Sequence, residues 1–208
     1  MALSKEEIKA IINLKARSKT PVYDDDIIRY KEIIKQHLLG NTDSMEPSDI
    51  ERTERNSKNI IHFLSNTDLD EEERDSYFGV NILPFYALNN RSVSTVKNYV
   101  CYEVEEDVFS TDGSNFFKNV RIIFYVMCDM KEKNDLDHET GIARHDLLGH
   151  FLVDEFCWSN CFGMQMVVID NKPRVIDDEF ITRTIVLQNK TPNSILTNNK
   201  ISNTTLKR

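Results

Sequence analysis

The chain has 208 residues, with 26 basic and 34 acidic side chains for a net charge of −8 at neutral pH. That balance excludes a protein that grips nucleic acid by neutralising phosphates. Its length suits one domain with appendages. No apolar run approaches the roughly 20 residues of a membrane helix, and Met1–Glu7 lacks the basic and apolar regions of a secretion signal, so a cytoplasmic origin is expected.

In chain order, Ser4-Lys5-Glu6-Glu7 has capping-box spacing ahead of Ile8, Ile11 and Ile12. Thr20-Pro21 breaks that helix. A second helix, capped by Asp24 or Asp25, is expected to carry Ile27, Ile28, Ile33, Ile34, Leu38 and Leu39 at near-helical spacing and to be stopped by Gly40-Asn41. A third follows Ser48-Asp49-Ile50-Glu51, another capping-box spacing, and runs to about Leu64. All three have thin apolar stripes, which suits helices lying on a partner or on a sheet better than a bundle of their own. Ile82–Leu88 is apolar but broken by Pro84 and reads as an extended connector.

Ser94–Val104 reads as the first strand of a sheet, and Thr111-Asp112-Gly113-Ser114 as the turn to the next. Val120–Cys128 is an almost continuous run of β-branched and aromatic residues, the pattern of a strand buried on both faces. The period then changes. Leu147, Leu148, Phe151, Leu152 and Phe156 fall on one helical face, with Arg144, His145, Asp146, His150 and Asp154 largely on the other. Thr140 is the expected N-cap. Gly163–Ile169 and Arg174–Ile176 flank Asp170-Asn171-Lys172-Pro173, which reads as a hairpin turn. Phe180–Leu187 is a further strand. The fold class is therefore α+β: a small mixed or antiparallel sheet packed by a helix, in the order strand, strand, helix, strand, strand. Three regions are drawn: an N-terminal helical extension (1–75), the α/β domain (76–188) and a flexible C-terminal arm (189–208). The arm holds Ile195, Leu196, Ile201 and Leu206 as spaced anchors on a polar ribbon, and is basic with no acid.

Several constellations have residue types that can carry chemistry. His138, His145, His150, Cys157 and Cys161 are the only metal-like cluster, but His145 and His150 are five apart and diverge on a helix. Solvated histidines and buried thiols account for them better, so no metal and no cofactor is expected. Glu103, Glu105 and Asp107 alternate on one strand face near Asp129. Paired carboxylates can hold Mg²⁺ for phosphoryl chemistry, which makes a small metal-dependent nuclease the alternative reading, through Glu103, Glu105 and Asp129. No lysine or histidine completes that constellation, and charged strand ends at a subunit rim or lumen wall explain the acids at lower cost. Phosphate loop, nucleophile elbow and dinucleotide fingerprint are all missing from the sequence. Arg144 is expected to pair with an acid, within the chain or across an interface.

Thr95–Val100 with Glu103 and Glu105, then Lys118–Val126, then Gly141-Ile142-Ala143-Arg144-His145-Asp146-Leu147-Leu148, then Phe162-Gly163 and an apolar strand form one ordered series. This order resembles neck and tail-completion proteins of tailed bacteriophages, of the tail-terminator type, over residues 80–188. The resemblance implies a non-enzymatic structural protein of the virion neck, assembled as a ring, often a hexamer. Such a ring completes the tail, joins it to the head connector and lets DNA pass through the lumen. Its partners would be itself and neighbouring neck and tail-tube proteins, with no membrane. On that reading Arg144, His145, Asp146, Asp170, Asn171, Lys172 and Arg174 are candidate ring-interface residues. Ile195, Leu196, Ile201 and Leu206 anchor the arm, and Glu103, Glu105 and Asp107 face the lumen, where acidity discourages DNA from sticking.

Overall fold

The structure is a computed structural model that describes residues 27–43, 45, 47–64, 68–86, 98–110, 116–130, 136–175, 180–191 and 193–194. The first helix of the sequence reading, the turn at Thr111–Ser114 and the arm anchors Ile195, Leu196, Ile201 and Leu206 lie outside the described residues.

Two helices come first, α1 (Ile27–Leu39) and α2 (Pro47–Leu64), followed by a 3₁₀ turn at Arg74–Tyr77. The strands β1 (Ile82–Leu83), β2 (Asn98–Ser110) and β3 (Phe116–Asp129) lead to α3 (Arg144–Phe156). β4 (Met166–Val175), β5 (Phe180–Asn189) and the short β6 (Asn193–Ser194) complete the chain. The sheet order is β1-β2-β3-β5-β4, with β6 also on β3. Only β1–β2 is parallel among the described pairs. The class is α+β, a mixed sheet with helices packed on it.

β3 is the spine, and its period decides the layering. Val120, Ile122, Phe124, Val126 and Cys128 point to one face and are fully buried. Tyr102 of β2 and Ile185 of β5 sit opposite Phe124 on that same face. Phe156 of α3 stacks on Phe124 with ring centroids 5.2 Å apart. The expectation of a strand buried on both faces is corrected: Arg121, Ile123 and Tyr125 are only half-buried, because the helices cover one side alone. On the other side a small cluster of Leu83, Cys101 and Met127 is sealed by Tyr86, Tyr99, Tyr125 and Phe180.

The N-terminal helices belong to this core. Ile34 and Leu38 of α1 and Ile60, Ile61 and Leu64 of α2 join the same apolar cluster as the inner face of the sheet. The boundary drawn at residue 75 has no counterpart in this packing. Gly40 ends α1 at φ +70, with its N–H on the His37 carbonyl and the Asn41 N–H on that of Gln36. These are the two bonds of a Schellman stop, and the left-handed backbone favours glycine. Asn98 Nδ2 donates to the Phe63 and Leu64 carbonyls, tying the end of α2 to the start of β2.

Three local expectations fail for stated reasons. α2 begins at Pro47, so Ser48 falls inside the helix; proline fits the first turn because its missing N–H would find no intrahelical partner. α3 has Ala143 at its N-cap with no side-chain cap. Thr140 instead gives its hydroxyl and backbone N–H to Asp137 Oδ2, at 2.6 and 2.8 Å, in the preceding turn. Asp170–Pro173 is not a hairpin turn but the middle of β4, with Asp170 opposite Val186 and Pro173 opposite Arg183. A one-residue register shift between Val168 and Asp170 makes a bulge at Ile169. Proline is tolerated here because β4 is the last strand and nothing beyond it needs the missing N–H.

Phe124 lies where sheet and α3 meet. Phe124→Ala is expected to lower stability by about 3–5 kcal/mol, read as a fall in the urea midpoint with unchanged slope.

Candidate functional site

Two polar constellations are assembled by the fold. The first is centred on Glu155, which is 1% exposed. Its place follows from helical spacing, since Leu148, Leu152, Glu155 and Phe156 are all buried on the inner side of α3. His37 comes from α1 beside Ile34 and Leu38, and Thr53 and Asn56 come from successive turns of α2. His37 Nδ1 lies 2.5 Å from Glu155 Oε1, Thr53 Oγ1 donates to the same oxygen at 2.6 Å, and Asn56 Nδ2 donates to Oε2 at 2.9 Å. Arg52 Nε stands 3.7 Å from Oε2, and its guanidinium also meets Asp49 at 2.9 Å. At the rim, Asp154 accepts from Arg55 and Asn56 at 2.8 and 2.9 Å.

Burial opposes ionisation of Glu155, but the hydrogen bonds of His37, Thr53 and Asn56 outweigh it and hold its carboxyl below the ordinary range. Glu155 is therefore a carboxylate at neutral pH with its oxygens engaged, which suits bolting three helices together and not proton transfer. Next to it, burial pushes the Cys161 thiol up to about 12, so that sulfur is no thiolate nucleophile at neutral pH.

The second constellation joins α3 to β4 and β5. Arg183 of β5 pairs with Asp146 and donates to Asn171 Oδ1 at 2.6 Å. Gly149 makes room for it, since a Cβ there would fall 2.5 Å from Arg183 Cδ. Of the sequence-selected interface residues, Asp146 and Asn171 are thus brought together, through an arginine that had been assigned only to a strand pattern. His145 is 5% exposed, with Nε2 3.3 Å from Asp146 Oδ1, so its assignment to the polar face of the helix is corrected. The charge of Arg144 helps to hold Asp137 ionised, after the larger effect of the two Thr140 hydrogen bonds. Lys172 pairs with Asp170 at 2.9 Å and Arg174 is exposed on the edge strand.

Glu103, Glu105 and Asp107 do share a face of β2. Glu103 accepts from Tyr125 Oη at 3.3 Å, Asp107 lies 3.9 Å from Arg121, and Glu105 is exposed. Asp129 is far from them. Glu103 lies opposite Ile123, so Asp129 is six residues further along β3, about 20 Å at strand rise. The carboxylate set of the nuclease alternative is therefore not assembled. Among the described residues, no three His, Cys, Asp or Glu side chains converge as a metal cage.

The sequence signal for Glu155 existed: an acid seven residues after Leu148 and three after Leu152 sits on the apolar stripe. The thin stripes of α1 and α2 carried the same message, since His37, Thr53, Asn56 and Ser57 are buried where apolar residues were sought.

Fold and site together define an α+β domain with its buried polar chemistry spent on holding helices to a sheet. The chain belongs to the YomW family, whose profile matches residues 56–189. The match runs from Asn56, inside α2, to the last residue of β5, and so spans β1–β5 and α3 but not α1. No curated protein matches the chain.

Because the folded-state pKa of Glu155 lies below its ordinary value of 4.5, its stabilisation is fully present above that value and is lost as pH falls from there through the lowered folded value. The urea midpoint should fall in that window, and less steeply for Glu155→Gln. At neutral pH Glu155→Ala should cost about 3–5 kcal/mol by urea unfolding, and Arg55→Ala at the exposed rim at most about 1.

Proposed function

We propose that the chain acts by assembly, as a structural protein of the virion neck that closes into a ring at the head-proximal end of a phage tail. The ring completes the tail, joins it to the head connector and leaves a lumen for DNA. What supports this is the phage-related family together with the use of the polar residues. The two best-formed polar groups, around Glu155 and around Arg183, both tie elements of the fold together and offer nothing to a substrate. Glu105 and Asp107 lie exposed on the sheet face away from the helices, where a lumen wall would repel phosphate. Partners on this reading are further copies of the chain, and neck and tail-tube proteins above and below.

On this reading neither the apolar side of α3 nor the backbone edge of β4 is the contact. The α3 helix spends its apolar side on its own sheet and α2, so it has no free stripe for a neighbour. The backbone edge of β4 carries a bulge, Lys172, Pro173 and Arg174, the devices that discourage strand-on-strand pairing. Subunit contacts on this reading are made by side chains at the sheet's margins. Light scattering of the purified chain across a concentration series should show a closed oligomer near six copies. Purified particles should contain the chain in several copies by mass spectrometry. A monomer at every concentration would overturn the ring, and absence from particles would overturn the neck assignment.

A further inference from the structure

Trp158, the only tryptophan of the chain, sits in the loop between α3 and β4 with its side chain 57% exposed. Its backbone is at φ +63, the one non-glycine residue at positive φ among the described residues. A bulky side chain there is strained, and such strain persists where the surroundings impose it and a function retains it. The surroundings are clear. Phe162 and Met164 anchor the loop in the core, and the Trp158 N–H donates to the Met166 carbonyl at 2.8 Å. Lys190 Nζ stands 4.9 Å from the centroid of the indole. Down the same margin, the bulge of β4 turns out Ile169, 52% exposed, and Arg174 is exposed beyond it. The β4 margin therefore presents two large apolar side chains, with Lys190 at one end, Arg174 at the other and the Lys172–Asp170 pair between.

The segment ahead of β1 has the reverse charge: it exposes Asp70, Glu71, Glu72, Glu73 and Asp75, and it is tied to α2 by Glu71 with His62 at 3.3 Å and by Arg74 with Ser57 at 2.9 Å. β1 and β4 are the two ends of the strand order, about 19 Å apart at the usual strand spacing.

We propose that the Trp158–Ile169 margin of one copy docks on the acidic Asp70–Asp75 segment of a second copy of this chain. This rests on the assembly reading and deepens it by naming the contact. The occupant follows from charge: Lys190 beside Trp158 and Arg174 further along β4 match the acids ahead of β1 in the same molecule, and a chain of net charge −8 with so few cations at this margin is a poor fit to nucleic acid. Because the two surfaces differ, the contact is heterologous, and it generates a ring when its rotation closes. Trp158 is the aromatic anchor of the kind that dominates interfaces, and the ionic rim sets orientation.

The experiment uses the full chain and measures self-association by light scattering and mass photometry. Trp158→Gly relaxes the backbone at φ +63 and so should fold with an equal or higher melting temperature, while weakening self-association by about 30-fold, the loss expected of a hot-spot tryptophan. Arg174→Glu with Lys190→Glu should weaken assembly, as should Glu72→Lys with Glu73→Lys, and the two reversed chains mixed together should recover heterologous pairing. An oligomer whose affinity is untouched by Trp158→Gly and by either charge reversal would overturn this contact and leave the assembly reading standing. A wild-type chain that is monomeric at every concentration would overturn both.

Discussion

An ionised carboxylate at 1% exposure is tolerable only if its lone pairs are met, and Glu155 meets that demand with donors from two other helices. His37 brings in α1, Thr53 and Asn56 bring in α2, and Glu155 itself belongs to α3. The apolar contacts between these helices would permit some sliding, but the hydrogen bonds do not. Helix placement over the sheet is thus set by directional bonds inside a layer whose general cohesion is hydrophobic.

The sheet supplies the other half of that cohesion. β3 is hydrogen-bonded on both sides along most of its length, and the even-numbered residues from Val120 to Cys128 give the helices one apolar surface. Arg183 and Asp146 then fix α3 to β5, and Gly149 allows the close approach.

The amino-acid sequence by itself determined the fold class, the order strand, strand, helix, strand, strand, and the glycine stop of α1 at Gly40-Asn41. Periodicity and glycine chemistry are local, and they act within a few residues. Composition set the acidic character and the lack of a long apolar span. Tertiary structure alone decided which helices share the sheet's core, since a thin stripe can face a partner or its own chain with equal local logic. It decided that Asp170–Pro173 is strand, because turn residues are acceptable in an edge strand and only the strand order shows which strand is last. It separated Asp129 from Glu103 and Glu105, because register, not alternation, sets distance along a ladder. And it converted Glu155 from one acid among 34 acidic residues into the bolt of three helices, since its partners lie 99 to 118 residues away in the chain and no local pattern reports a bond across that separation.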